Sequence, residues 1–102
     1  MTQPKNTPQP TVTLSPTPDY REGYSNSVQV RMSVWDFFLV FGNMHQHEAD
    51  KVDIKNFQGI YLSPQQAKAL LNVLSHNVAQ YEQTFGALTL EPQLPPPAGP
   101  VH

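Results

Sequence analysis

Cysteine is absent from this 102-residue chain, so neither a disulfide nor a thiolate-bound metal can brace it. Charge is also scarce, at 14% of residues with a formal net charge of -2. Between Tyr24 and Gly86, Arg31, Lys51, Lys55 and Lys68 are set against Asp36, Glu48, Asp50, Asp53 and Glu82. Such a balance offers no basic field to displace phosphate counterions, which excludes nucleic acid as an expected partner. No long apolar run is present either: the longest, Phe37 to Phe41, is far short of the roughly 20 residues a membrane helix needs, and no basic segment leads into an apolar one at the start. The expectation is a cytoplasmic protein without a membrane partner. The five glycines are dispersed and form no phosphate-cradling loop, no nucleophile stands near a base, and no carboxylates pair at a catalytic spacing. An enzyme reading therefore has no residues to rest on, and neither a cofactor nor a catalytic residue is expected.

Proline, by contrast, is plentiful, and ten of the 11 lie outside residues 20–90. Pro4, Pro8, Pro10, Pro16 and Pro18 stand among Thr, Gln and Asn, while Pro92, Pro95, Pro96, Pro97 and Pro100 follow the last apolar stretch. Neither end holds enough apolar side chain to offset the entropy of ordering it. Residues 1–22 and 88–102 are thus expected to be disordered Pro-rich tails around a single domain at 23–87. The Pro95-Pro96-Pro97 run reads as solvated tail before it reads as a polyproline ligand.

Within the domain, Val28, Val30 and Met32 alternate with Ser27, Gln29 and Arg31, the period of a strand with one buried face. Asp36 to Phe41 is apolar on both faces, with Phe37, Leu39 and Phe41 on one and Phe38 and Val40 on the other. A helix can cover one of them; the other calls for a second layer, most economically another copy of the chain. Met44 to Asp50 reads as a polar loop, and Val52 to Leu62 as a third strand with a bulge or turn near Asn56 to Gly59.

Ser63 to Gly86 is the dominant element. Ser63 suits an N-cap, Pro64 the first helical position, Gln66 the third position of a capping box, and Gly86 the residue after the last turn. Ala67, Leu71, Leu74, Val78, Tyr81 and Phe85 recur at spacings of 4 and 3, and Leu70 and Val73 widen that stripe, with Asn77 at its border. A helix from Pro64 to Phe85 is roughly 33 Å long, against about 20 Å for a six-residue strand. It outruns the sheet. Asn77 either sets register in a helix interface or bonds a strand backbone. Trp35 and Tyr81 read as core or interface anchors.

One segment has metal-ligand residue types, His45-Gln46-His47-Glu48-Ala49-Asp50. Extended, it would point His45 and His47 the same way, with Asp50 or Glu48 nearby, as zinc or nickel ligands. Two histidines and an acid in a polar loop occur often without a metal, so no metal is expected and this reading ranks last. His76 shares the polar side of the helix with Lys68, Asn72 and Gln83.

Tyr24-Ser25-Asn26-Ser27-Val28, Trp35-Asp36-Phe37 with Phe41-Gly42, Ser63-Pro64-Gln65-Gln66-Ala67-Lys68, and Asn77, Tyr81-Glu82 and Phe85-Gly86 together resemble the bacterial family known as domain of unknown function 3467. The resemblance covers the domain and neither tail. It implies a small strand-rich unit followed by a helix, in a cytoplasmic bacterial protein, and brings no catalytic residues with it.

The sequence thus leads to an α+β fold: a small antiparallel sheet of about three strands packed by one long C-terminal helix. Its expected role is a non-enzymatic, homo-oligomerising interaction module. The interface is expected at Phe38, Val40, Leu70, Val73, Asn77, Tyr81 and Phe85. The alternatives are a chaperone-like or adaptor protein that binds another, unidentified polypeptide and, more distantly, a metal-binding protein built on the His45/His47 loop.

Overall fold

The computed structural model of the protein describes residues 9–90. The tail expectations for residues 1–8 and 91–102 lie outside the described residues. Three strands and one helix follow each other along the chain: β1 (Ser27–Met32), β2 (Phe37–Glu48), β3 (Lys51–Leu62) and α1 (Pro64–Phe85). The strands form an antiparallel meander in the order β1-β2-β3. This is the expected α+β arrangement, with the helix after the sheet. No helix among the described residues is long and apolar enough to cross a membrane.

Residues 9–26 lead into β1 without regular structure, apart from a turn closed by the Tyr20 amide donating to the Thr17 carbonyl at 3.0 Å. Side chains then tie this lead-in to β2. The Ser25 hydroxyl donates toward the Gly42 carbonyl at 2.8 Å and accepts from the Gly42 amide at 3.1 Å. Asn26 accepts from the Met44 amide at 2.7 Å and donates to its carbonyl at 3.4 Å. These side chains supply bonds of the kind a strand backbone makes, so the pairing of β1 continues beyond its own end.

The β1–β2 turn is organised by Ser33. Its hydroxyl accepts from the amides of Trp35 and Asp36 at 3.0 and 3.2 Å, and its amide donates to the Asp36 carbonyl at 2.8 Å. A serine oxygen answering amides two and three residues on is the local bonding that favours turns over strands.

β2 runs on to Glu48, so the expected polar loop at Met44 to Asp50 is instead strand, and only Ala49 and Asp50 turn. Past the reach of β1 the β2–β3 hairpin is a two-stranded arm, in which Met44 pairs with Ile54, His45 with Asp53 and Gln46 with Val52. Most of its outer half is exposed. An arm solvated on both sides needs no apolar alternation, which is why its sequence resembles a loop. The bulge expected near Asn56 to Gly59 is present: Phe41 pairs with Gln58 and Gly42 with Asn56, leaving Phe57 as the extra residue.

Register divides the sheet into two faces. Val28, Val30 and Met32 align with Phe41, Leu39 and Phe37, and these with Gln58, Ile60 and Leu62. The opposite face aligns Gln29 and Arg31 with Val40 and Phe38, and these with Gly59 and Tyr61. On this second face the Phe38 and Tyr61 rings stack at 4.3 Å, and Gly59 makes room for them, since a Cβ there would meet the Phe38 ring at 2.8 Å. Val40, 9% exposed, is the one buried hydrophobic side chain among the described residues.

The helix begins and ends where its signals lie. Ser63, in an extended conformation, accepts from the Gln66 amide at 3.1 Å, and Pro64 takes the first position. Gly86 follows with φ 108 and ψ 162, outside the left-handed helical region where many helices end, and its amide donates to the Glu82 carbonyl at 3.0 Å. The positive φ suits glycine. The helix meets the sheet through β3, and none of its side chains is buried within one chain.

Candidate interaction surface

The open surfaces follow from this geometry. On the first sheet face Val28, Val30 and Met32 are 54%, 56% and 62% exposed, although their alternation marks them as a buried face. Phe37, Leu39, Phe41 and Leu62 beside them are half-buried, and Ile60 is exposed. None of these positions is charged. At one end the lead-in segment flanks the face, and Arg21, Glu22, Gly23 and Ser25 line a hollow with Phe41, Phe57, Gln58 and Ile60.

The second open surface is the helix. Leu70, Leu71, Val73, Leu74, Val78, Tyr81 and Phe85 are all exposed. Tyr81 and Phe85 touch each other, with ring centroids 4.9 Å apart, so their contact runs along the helix and not to the sheet. Within the chain Asn77 bonds its own helix, its amide donating to the Val73 carbonyl one turn back, at 2.8 Å. Trp35 and Val34, at the tip of the β1–β2 turn, are each 80% exposed.

The residues expected at an interface therefore fall into two groups. Leu70, Val73, Asn77, Tyr81 and Phe85 lie exposed on α1. Phe38 and Val40 lie on the better-covered sheet face, beside the Tyr61 ring and Arg31. The face of Val28, Val30 and Met32, marked for burial by its alternation, is open in one chain.

His45 and Asp53 are cross-strand partners, and His47 Nε2 lies 2.9 Å from Asp53 Oδ2, with both side chains well exposed. Among the described residues no three His, Asp or Glu side chains are grouped to hold a metal ion. His76 is exposed on the helix. In the lead-in segment the Tyr20 hydroxyl donates to Glu22 at 2.7 Å, and losing that bond on ionisation raises the Tyr20 pKa above its ordinary value.

No curated protein and no solved structure matches the chain. A family model described as "Protein of unknown function (DUF3467)" matches residues 1–90, which takes in the N-terminal segment as well as the sheet and helix and so reaches further than the resemblance in the motifs. The chain belongs to this DUF3467 family of proteins of unknown function.

Proposed function

We propose that this protein is a non-enzymatic interaction module that works as a homo-oligomer. The observation that carries the reading is the near absence of a core: among the described residues only Val40 is a buried hydrophobic. Fully burying one such side chain contributes about 1.5–3 kcal/mol, whereas ordering each residue's backbone costs roughly 1–2 kcal/mol. Half-buried Phe37, Leu39 and Phe41 add to the balance, yet most of the apolar surface of one chain stays open. Hydrogen bonds in three strands and a helix add little net stability each. With no cysteine to brace the fold, a partner must cover the open sheet face and the helix.

A second copy is the partner that is always present, and one family of apolar surfaces then serves both sides of the contact. Light scattering coupled to gel filtration tests this: the expected mass is a multiple of 11.4 kDa. A monodisperse, folded monomer at high micromolar concentration overturns it.

The exposed Val34-Trp35 tip supports a second reading, an adaptor or holdase that keeps apolar surface free for another polypeptide. Binding of a hydrophobic dye by the assembled oligomer, with suppressed aggregation of an unfolded client, favours this reading; absence of both rejects it.

A further inference from the structure

We propose that two copies exchange helices, the apolar stripe of α1 from one lying across the Val28/Val30/Met32 face of the other and the reverse. This rests on the homo-oligomer reading and specifies its partner surface. The decisive feature is the connection between β3 and α1, which is Ser63 alone. One residue advances the chain by at most about 3.6 Å, while a helix resting on a sheet needs its axis about 10 Å above it. Pro64 tightens the constraint, because it fixes its own φ and holds the preceding residue extended; Ser63 has ψ 154. Strand-to-helix connections that fold a helix back onto its own sheet use about two to six residues. The helix of this chain is therefore delivered off the end of its sheet, with its stripe and the sheet face both apolar and both uncovered.

Charge decides which sheet face receives it. The strand positions of the Val28/Val30/Met32 face carry no charge, Arg21 and Glu22 lying only at its lead-in end, whereas docking on the opposite face would bury Arg31 against the apolar stripe, where Ala67, Leu71, Leu74 and Val78 offer it no partner. Size agrees as well. The exchange buries a face and a helix of each chain, so every contact is made twice, toward the roughly 800 Å² per partner of a standard stable interface. The face is about 20 Å long, so it occupies the first four turns of the partner's α1.

The cysteine-free chain allows a direct test. Full-length Val30→Cys and Leu74→Cys variants are unfolded together, refolded as a mixture and treated with a short bifunctional maleimide. The expected major product joins one chain of each kind. Predominance of the Val30→Cys pair, meaning sheet against sheet, or of the Leu74→Cys pair, meaning helix against helix, overturns the exchange while leaving the homo-oligomer reading intact. A wild-type monomer by light scattering removes both. In a second variant, Gly-Ser-Gly-Ser inserted between Leu62 and Ser63 gives the helix enough chain to close on its own sheet. Its expected effect is at least a tenfold weaker dimer with unchanged helix content by circular dichroism. A folded insertion variant that dimerises as tightly as the wild type overturns the proposal, and if the insertion prevents folding the cross-linking result decides.

Discussion

Ser25 and Asn26 hold the start of β1 through Gly42 and Met44, 17 and 18 residues further along the chain. Asn26→Ala removes both bonds to Met44 and is expected to cost about 1–2 kcal/mol in urea unfolding; an unchanged midpoint would show that the ladder stands without it. The two sheet glycines differ in what a side chain would strike. At Gly42 a Cβ meets Asn56 Oδ1 at 2.5 Å and the Lys55 carbonyl at 3.0 Å, whereas at Gly59 it meets only the ring of Phe38 below 3 Å, at 2.8 Å. A ring turns aside more cheaply than backbone, so Gly42→Ala is expected to destabilise by about 1–3 kcal/mol and Gly59→Ala by less. Gly59→Ala should instead perturb the near-ultraviolet circular dichroism of the Phe38–Tyr61 stack. The sequence marks Ser25 and Asn26 only as members of a family motif, and Gly42 reads as a strand end although β2 runs through it. Their bonds join residues far apart in the chain, and no local spacing carries that information.

At the level of elements, legibility tracks how locally each is specified. Helix α1 is bounded at Pro64 and Phe85 because Ser63, Pro64 and Gly86 act within one turn of its ends. Strand β1 is visible from its alternation, and the bulge in β3 from the lapse of that alternation at Asn56 and Gln58. The outer half of β2 is hidden because His45, Gln46, His47 and Glu48 are exposed and bury nothing, so no apolar alternation marks them. Ser63→Ala removes the acceptor for the Gln66 amide and is expected to cost about 0.5–2 kcal/mol, read as a lower thermal midpoint in far-ultraviolet circular dichroism. The His47–Asp53 pair is exposed, so His47→Ala is expected to leave the urea midpoint unchanged; a clear loss would mean that the arm is buried in the assembly.

At the scale of the whole molecule, one chain presents an apolar sheet face and an apolar helix that both stay largely open, an outcome that hydrophobic patterning cannot reveal. Patterning says that a surface wants cover; it does not say which chain supplies it. On the oligomer reading, Val30→Asp places a charge in the middle of the open face and is expected to shift light-scattering mass toward the monomer. The same reading makes the wild-type melting temperature rise with protein concentration, since assembly stabilises only the folded form. A concentration-independent melting curve would contradict it.

The single residue between β3 and α1 also has a kinetic meaning. If a helix cannot reach its own sheet, the last step of folding requires an encounter between two chains, and its rate must scale with concentration. A tenfold dilution during refolding should slow that phase tenfold, while β-hairpin formation, which is local to each chain, keeps its pace.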